Sequence, residues 1–176
     1  MSTDRGFAIA PAIASDIPDV ARLFAAYERH IGVDLSYQGF ADEIAALPGQ
    51  YVPPRGQLLI ARDRDARAVG CVGLRPMRAA HCCEMKRLFV APEGRGLGLG
   101  RALAEAILAE GARLEYTELR LDTLPSMHDA IGLYRKLGFV SIEPNYAADP
   151  YYGASEGAIF FARRLDDLRG ADSASL

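Results

Sequence analysis

The residues of this chain that are best placed to do chemistry form a glycine-rich turn. Arg95-Gly96-Leu97-Gly98-Leu99-Gly100 puts three glycines at alternate positions, directly before a stretch whose apolar spacing predicts a helix from Leu99. Glycine lets a backbone approach a ligand closely. The first amides of a helix lack partners within the helix and carry a partial positive charge, which favours phosphate oxygens. Because Arg95 and Arg101 add charge nearby, the turn predicts a phosphate-bearing ligand.

Two other phosphate-binding motifs do not fit this turn. A dinucleotide fold needs G-x-G-x-x-G, but from each possible first glycine the third position holds another residue (Leu99, Arg101 or Leu103). A Walker loop needs Gly-Lys followed by Ser or Thr, which is absent here. The glycines alone leave one alternative open, a tight turn between strand and helix that holds no ligand.

The segments around the turn resemble a known family. Glu84–Val90, followed by Arg95-x-x-Gly98-x-Gly100, resembles motif A of the GNAT superfamily of N-acetyltransferases, whose pattern is Gln/Arg-x-x-Gly-x-Gly/Ala. The later run 130–139 resembles motif B of that family, and the two motifs occur in the family's order. One departure is Met127, because many members carry asparagine three residues before the motif-B alanine.

The resemblance implies acetyl-CoA as the co-substrate and a splayed strand pair that receives its pantetheine arm. The arm would pair with the backbone of Leu88, Phe89 and Val90, whose amides could also bond the thioester oxygen. The pyrophosphate would lie on the turn. The implied cofactor-binding residues there are Arg95, Gly96, Leu97, Gly98, Leu99, Gly100 and Arg101.

The implied reaction is attack of a neutral amine on the thioester. An amine with a pKa of ~10 must first lose a proton, and Glu84 matches a family position that often holds a catalytic glutamate. Its alternative is a carboxylate paired with Lys86 or Arg87. The leaving thiolate needs a proton or a hydrogen bond, and Tyr134 matches a frequent motif-B tyrosine. Its alternative is a core tyrosine, because it shares a helix face with apolar residues.

The resemblance implies an acceptor pocket between the first two helices, the loop after them and a late loop. Tyr37 and Tyr51 on one side, and Tyr146 and Tyr152 on the other, either line this pocket or are ordinary loop packing. The carboxylates Asp34, Asp42, Glu43 and Asp149 either hold a cationic amine or are solvated loop residues. We expect a small-molecule amine acceptor. Two alternatives stay open, a protein or peptide acetyltransferase and a non-catalytic acyl-CoA-binding module, because a fold does not fix a function.

The elements that must position these residues follow from periodicity. Their order is strand, two helices, hairpin and strand, helix, strand, helix and two strands, which predicts a single α/β domain with a mixed, mostly antiparallel sheet. We expect a flexible segment at 1–6, the domain at 7–165 and a frayed tail at 166–176. The helix from Leu99 is expected to end at Gly111. The next helix is expected to be capped by Ser126, with Asp129 completing a capping box.

Composition limits the other classes. The 176 residues carry a formal charge of −3, which argues against a nucleic-acid partner. Cys71, Cys82 and Cys83 fit no metal-binding spacing, and we expect no metal and a reduced, cytoplasmic protein. No apolar stretch is long enough for a signal peptide or a membrane span. A homodimer is expected only as the commonest symmetric oligomer.

Overall fold

The computed structural model describes residues 6–143 and 157–169. Seven strands form one sheet in this part of the chain, in the order β1-β2-β3-β4-β5-β7-β6. The strands are β1 (Phe7–Pro11), β2 (Gln57–Asp63), β3 (Ala68–Pro76), β4 (Cys82–Val90), β5 (Glu118–Thr123), β6 (Val140–Ile142) and β7 (Ile159–Arg164). The helices are α1 (Ile17–Ile31), α2 (Phe40–Ala45), α3 (Leu99–Arg113) and α4 (His128–Lys136). The predicted α/β class and element order are confirmed.

The helices cover the sheet on both faces. On one face, α3 and α4 pack on a core that includes Leu59, Ala61 and Met85. On the other face, α1 and α2 pack on a core that includes Leu58 and Ile60. Consecutive residues of β2 therefore enter opposite cores, as the two-residue period of a strand requires. Because both faces are covered, the central strands consist largely of apolar residues.

The sheet splays at its centre. Strands β4 and β5 form the parallel pair, whereas β1–β2, β2–β3, β3–β4, β5–β7 and β6–β7 are antiparallel. The β4–β5 register begins at Cys82 opposite Glu118 and ends at Glu84 opposite Arg120. Beyond that pair, β4 continues to Val90 without pairing to β5. The unpaired edge opens a cleft, as the resemblance implied.

A β-bulge interrupts β4 at the start of this open edge. Opposite β3, the register shifts between Lys86 and Phe89, so that two residues of β4 face a single residue of β3. Arg87 lies in the bulge with a left-handed φ of 58°. The bulge exchanges the two faces of the strand: Met85 belongs to the core on the α3 side, whereas Phe89 belongs to the core on the α1 side. The bulge therefore allows the buried strand to contain two consecutive charged residues, Lys86 and Arg87.

Two predicted helix boundaries are wrong. Helix α3 runs past Gly111 to Arg113, because Gly111 serves close packing: a Cβ there would lie 3.1 Å from Leu165 Cδ1. At α4 the capping residue is Met127 rather than Ser126, and it makes no side-chain capping bond. The expected Ser126–Asp129 capping box is therefore not formed. Gly138 follows the end of α4 with a φ of 84°, the left-handed conformation that glycine commonly adopts directly after a helix.

Candidate active site

The splayed strands open a cleft whose walls come from four elements. Residues 85–88 of β4 and 121–124 at the end of β5 form two walls, and residues of α1 and α4 close the others. The side chains that line the cleft include Tyr27, Lys86, Arg87, Asp122, Met127 and Tyr134. The cleft therefore joins the predicted motif-B tyrosine to the unpaired edge of β4.

A groove of about 590 Å³ continues the cleft toward the glycine-rich turn. It is lined by Leu88, Phe89 and Val90, by Arg95, and by the first turn of α4. Cleft and groove share lining residues, among them Leu88 and Tyr134. The predicted pantetheine-binding residues thus lie along one channel that leads from the turn to the cleft.

The glycine-rich turn presents a row of open backbone amides. Among the described residues, no carbonyl accepts a hydrogen bond from the amides of 96–101, and the first bond of α3 runs from Ala102 N to Gly98 O at 3.1 Å. Gly96 and Gly98 have φ values of 82° and 73°, which an L side chain disfavours. Residues 95–98 and 101 are exposed, and Leu99 is buried against the core. The predicted anion cradle therefore has donors without internal partners.

The two arginines of the turn already have partners. Arg95 Nε donates to Val90 O at 3.3 Å, and its Nη2 lies 3.5 Å from His30 Nδ1, so Arg95 spans the groove between β4 and α1. Arg101 Nε donates to Glu105 Oε1 at 2.7 Å along α3. Both side chains are exposed. Either guanidinium can exchange these exposed contacts for an anionic ligand at small cost, since exposed ion pairs contribute about 0–1 kcal/mol.

Tyr134 is a core tyrosine that also lines the cleft. Its ring packs on Phe139 and Phe161, with ring centroids 5.7 and 6.1 Å away, and only 6% of the residue is exposed. Tyr134 also lines both the cleft and the groove, and its hydroxyl makes no hydrogen bond within the described part of the chain. Burial raises the pKa of this phenol, which therefore stays protonated at ordinary pH. A buried ring and a protonated hydroxyl suit a proton donor.

Glu84 lies next to the cleft but does not line it. The carboxylate is 4% exposed and accepts from Arg75 Nε at 2.8 Å, and Lys86 Nζ lies 3.2 Å from its other oxygen. The ion pair with Lys86 confirms part of the alternative that the sequence left open, whereas Arg87 pairs elsewhere. Glu84 instead lines a separate cavity with Arg75 and Pro53. The structure therefore does not bring Glu84 and Tyr134 into one cavity.

Lys86 connects Glu84 to the cleft. Its Nζ also donates to Asp122 Oδ1 at 2.8 Å, which joins β4 to β5 just beyond the point where their backbone pairing ends. Burial opposes the charge on both partners. The pKa of Lys86 is nevertheless raised by Glu84 and Asp122, and the pKa of Asp122 is lowered by Lys86. The ion pair thus holds the diverging strands together across the floor of the cleft.

Arg87 forms a second buried cluster beside the bulge. Its Nη2 donates to Glu43 Oε2 at 2.6 Å and to Gln38 Oε1 at 3.1 Å, and Nε donates to Glu43 Oε1 at 3.2 Å. The guanidinium also stacks on Phe40, 4.8 Å from the ring centroid. A left-handed non-glycine residue costs on the order of 1–3 kcal/mol, and this bidentate pair offsets that cost. Glu43 is therefore a buried partner of Arg87 rather than a solvated loop residue.

The predicted acceptor tyrosines have different outcomes. Tyr51 is buried, its hydroxyl donates to Glu43 at 2.5 Å, and it lines a cavity with Gln38 and Arg75. Only the backbone of Tyr37 is described, in the 3-10 turn Ser36–Gln38. Tyr146 and Tyr152, like Asp149, lie outside the described residues. Tyr51 thus lines a cavity beside α2 and also braces Glu43.

Sequence reasoning missed the roles of several cleft residues. Tyr27, on α1, lines both the cleft and the groove, although its helical spacing is that of a core residue. The pairing of Arg87 with Glu43 spans 44 residues, and that of Lys86 with Asp122 spans 36. The available signal was the presence of consecutive charged residues inside an apolar strand. At the family's asparagine position, Met127 lines the cleft and its sulfur accepts from Thr123 Oγ1 at 3.6 Å.

Within residues 6–143 and 157–169, no group of three or more His, Cys, Asp or Glu residues is arranged to hold a metal ion. No helix in these ranges is both long enough and apolar enough to cross a bilayer.

Comparison with known proteins places the chain among acetyltransferases. A profile of the Acetyltransferase (GNAT) family matches residues 18–139. An uncharacterised N-acetyltransferase of Schizosaccharomyces pombe is 41% identical over 134 residues, which cover 76% of this chain and 82% of that protein. A GNAT-family acetyltransferase structure from Staphylococcus aureus aligns with a TM-score of 0.75 at 18% identity, covering 90% of this chain and 99% of the other. A Salmonella typhimurium acetyltransferase structure, solved with its cofactor acetyl-CoA, aligns with a TM-score of 0.69 at 18% identity, covering 92% and 95%.

Proposed function

The chain belongs to the GNAT acetyltransferase family and is an acetyl-CoA-dependent acyltransferase, and from this premise we propose that it acetylates a primary amine of a small molecule. The observation that carries the proposal is the channel that runs from the open amides of 96–101, past Leu88–Val90, to Tyr134. The two ends of the channel suit two parts of acetyl-CoA. The amides suit its pyrophosphate, and the tyrosine suits the sulfur that departs in the reaction.

We propose that acetyl-CoA binds with its pyrophosphate on the amides of residues 96–101. A row of unpartnered donors at a helix N-terminus favours phosphate oxygens, and Arg95 and Arg101 add charge. The pantetheine arm then pairs with the open edge of β4 along Leu88, Phe89 and Val90. This places the thioester near the bulge, where a backbone amide of β4 can donate to the oxygen that gains charge in the transition state.

We propose that Tyr134 donates a proton to the departing thiolate. A phenol that burial keeps protonated can donate at any pH at which the enzyme works. Its ring is fixed by Phe139 and Phe161, which holds the hydroxyl in place in the cleft. Positioning of this kind contributes to the rate because it removes the need to orient the donor during the reaction.

Glu84 remains our candidate base, and we propose that it acts through water. It lines a cavity separate from the cleft, and Lys86 connects it to Asp122 on the cleft floor. Arg75 and Lys86 hold this carboxylate in place at the wall of its cavity. A carboxylate oriented in this way can accept the amine proton through an intervening water molecule.

The experiment that tests the proposal has two parts. Calorimetric titration with acetyl-CoA, CoA and NADH is expected to show binding of the two CoA species only. An amine panel that includes diamines, amino acids and short peptides, followed by thiol release, is then expected to show turnover with small amines. Turnover with peptides alone would redirect the proposal to a protein acetyltransferase. Acetyl-CoA binding without turnover of any amine would favour the non-catalytic binding module.

A further inference from the structure

Two further cavities lie beside the cleft and are related to it by shared lining residues. Gln38 lines both the cleft and a cavity of about 280 Å³ formed with α2. Gln50 and Arg75 line that cavity and a further one of about 620 Å³. We call the further cavity the outer chamber; its lining includes Arg55, Arg75, Arg78 and Glu84. Sizes of several hundred Å³ suit a small molecule. An acceptor that reaches the cleft from this side passes the outer chamber.

The largely buried carboxylates along this path are already neutralised, whereas Asp42, which lines the cavity formed with α2, is exposed. Glu43 accepts hydrogen bonds from Nε and Nη2 of Arg87 and from the Tyr51 hydroxyl. Glu84 is paired with Arg75 and with Lys86, whose second partner is Asp122. Each buried anion therefore faces at least one buried cation. A second ammonium group on the acceptor would find no buried carboxylate that lacks a cation in the described part of this path.

The outer chamber itself carries positive charge. Among its described lining residues, three arginines accompany a single acid, Glu84, so that the formal charge of this set is 3 − 1 = +2. Arg55 is exposed, and its side chain makes no ion pair or hydrogen bond within the described part of the chain. Its backbone carbonyl is fixed by the Tyr116 hydroxyl at 2.6 Å. A guanidinium on an anchored backbone is suited to bind a carboxylate or a phosphate through two hydrogen bonds.

We propose that the acceptor is an amine that carries an anionic group, a carboxylate or a phosphate, and that the outer chamber binds this group through Arg55. The inference rests on the proposed function, since it names the substrate class of the same site. The amine points along the channel to the cleft, and the anion remains in the outer chamber beside Arg55. Amino acids in which several carbons separate the amine from the carboxylate have the required shape.

The test is a matched series of acceptors with thiol release as the readout. Glycine, β-alanine, 4-aminobutyrate and 5-aminovalerate are each compared with their carboxamide, and O-phosphoethanolamine is compared with ethanolamine. Spermidine serves as the polycation. We expect kcat/KM at least 10-fold higher for the anionic member of each reactive pair. Preference within the carboxylate series or for the phosphate distinguishes the two anions. Equal or better turnover of carboxamides or of spermidine overturns the inference while leaving the acetyltransferase function intact.

Two variants test the assignment to Arg55. Arg55→Gln is expected to raise KM for the anionic acceptor about 10-fold, with kcat and the KM for its uncharged partner unchanged. Arg135→Gln is the matched control, because Arg135 is an exposed arginine of α4 without an ion pair among the described residues. It is expected to change none of these constants. An unchanged KM in Arg55→Gln overturns the assignment. Absence of turnover with every acceptor, despite acetyl-CoA binding, instead refutes the proposed function.

Discussion

Replacing Gly98 by alanine tests the pyrophosphate turn. Gly98 caps α3 with a φ of 73°, and a Cβ added there meets no heavy atom of the described residues within 4 Å. The change therefore has a cost in the free protein, the left-handed backbone of roughly 1–2 kcal/mol. In the acetyl-CoA complex the added methyl group would stand where phosphate oxygens approach the amides. Loss of a charge-assisted hydrogen bond costs about 1.5–3 kcal/mol, which corresponds to an affinity about 10- to 100-fold weaker.

Gly39 provides a matched control for this change. It caps α2 with a φ of 68°, and a Cβ added there also meets no described heavy atom within 4 Å. Gly39→Ala therefore carries the same backbone cost as Gly98→Ala. For a domain of this size, that cost lowers Tm by roughly 2–8 °C in either variant. Only Gly98 belongs to the turn with open amides, so only its replacement is expected to weaken acetyl-CoA binding.

The assay pairs thermal unfolding with calorimetric titration of acetyl-CoA. The expected result is a similar fall in Tm for both variants and a higher Kd for Gly98→Ala alone. If Gly98→Ala bound acetyl-CoA as tightly as the wild type did, the turn would not hold the pyrophosphate. If both variants lost affinity equally, the loss would follow from stability and the reasoning about the turn would be refuted.

Three further predictions concern the buried groups. Tyr134→Phe is expected to lower kcat at least 10-fold without changing the Kd for acetyl-CoA, since general acids contribute about 10²–10⁴-fold; an unchanged kcat would remove Tyr134 from the mechanism. Glu84→Gln is expected to lower kcat by a similar factor. A fall in Tm with a normal kcat would mean that Glu84 acts only through its ion pairs. The third concerns Glu43. Burial alone would raise the pKa of its carboxyl, but the hydrogen bonds and the charge of Arg87 lower that pKa by more, so it lies below the usual carboxyl value. Its stabilising contribution is therefore present above the ordinary carboxyl pKa and lost as pH falls through the lowered value. Glu43→Gln is expected to cost about 3 kcal/mol at pH 7 in urea unfolding, and a cost that did not decrease as the pH was lowered would contradict this sign.

The glycine-rich turn was predictable because its signal is local. Three alternating glycines before a helical period require only neighbouring residues to interpret, and the structure places them at the start of α3 with open amides. Gly111 shows the limit of the same reasoning. A glycine near the end of a helical pattern usually ends the helix, but here contact with Leu165 keeps it inside α3. That contact joins residues far apart in sequence, so no local pattern reports it.

The strand β4 was also predictable in extent but not in the direction of its side chains. Strict alternation would place Lys86 and Arg87 on opposite faces. The bulge instead lets each of them reach a carboxylate, Asp122 on β5 and Glu43 on α2. A bulge adds one residue to one strand, and from the sequence alone its position is not distinguishable from a regular strand.

The pairing of the buried charges explains why the cleft favours a neutral amine over a charged ammonium. Three cations and three anions lie around it, and each is paired with a partner of opposite sign, namely Arg75, Lys86 and Arg87 with Glu84, Asp122 and Glu43. The cluster therefore has no net charge, although each ion is costly to bury alone. A charged ammonium gains little by remaining in such a cleft, which favours its loss of a proton before attack. We infer that the outer chamber selects the acceptor by charge, because the arginines among its described lining residues outnumber the acids.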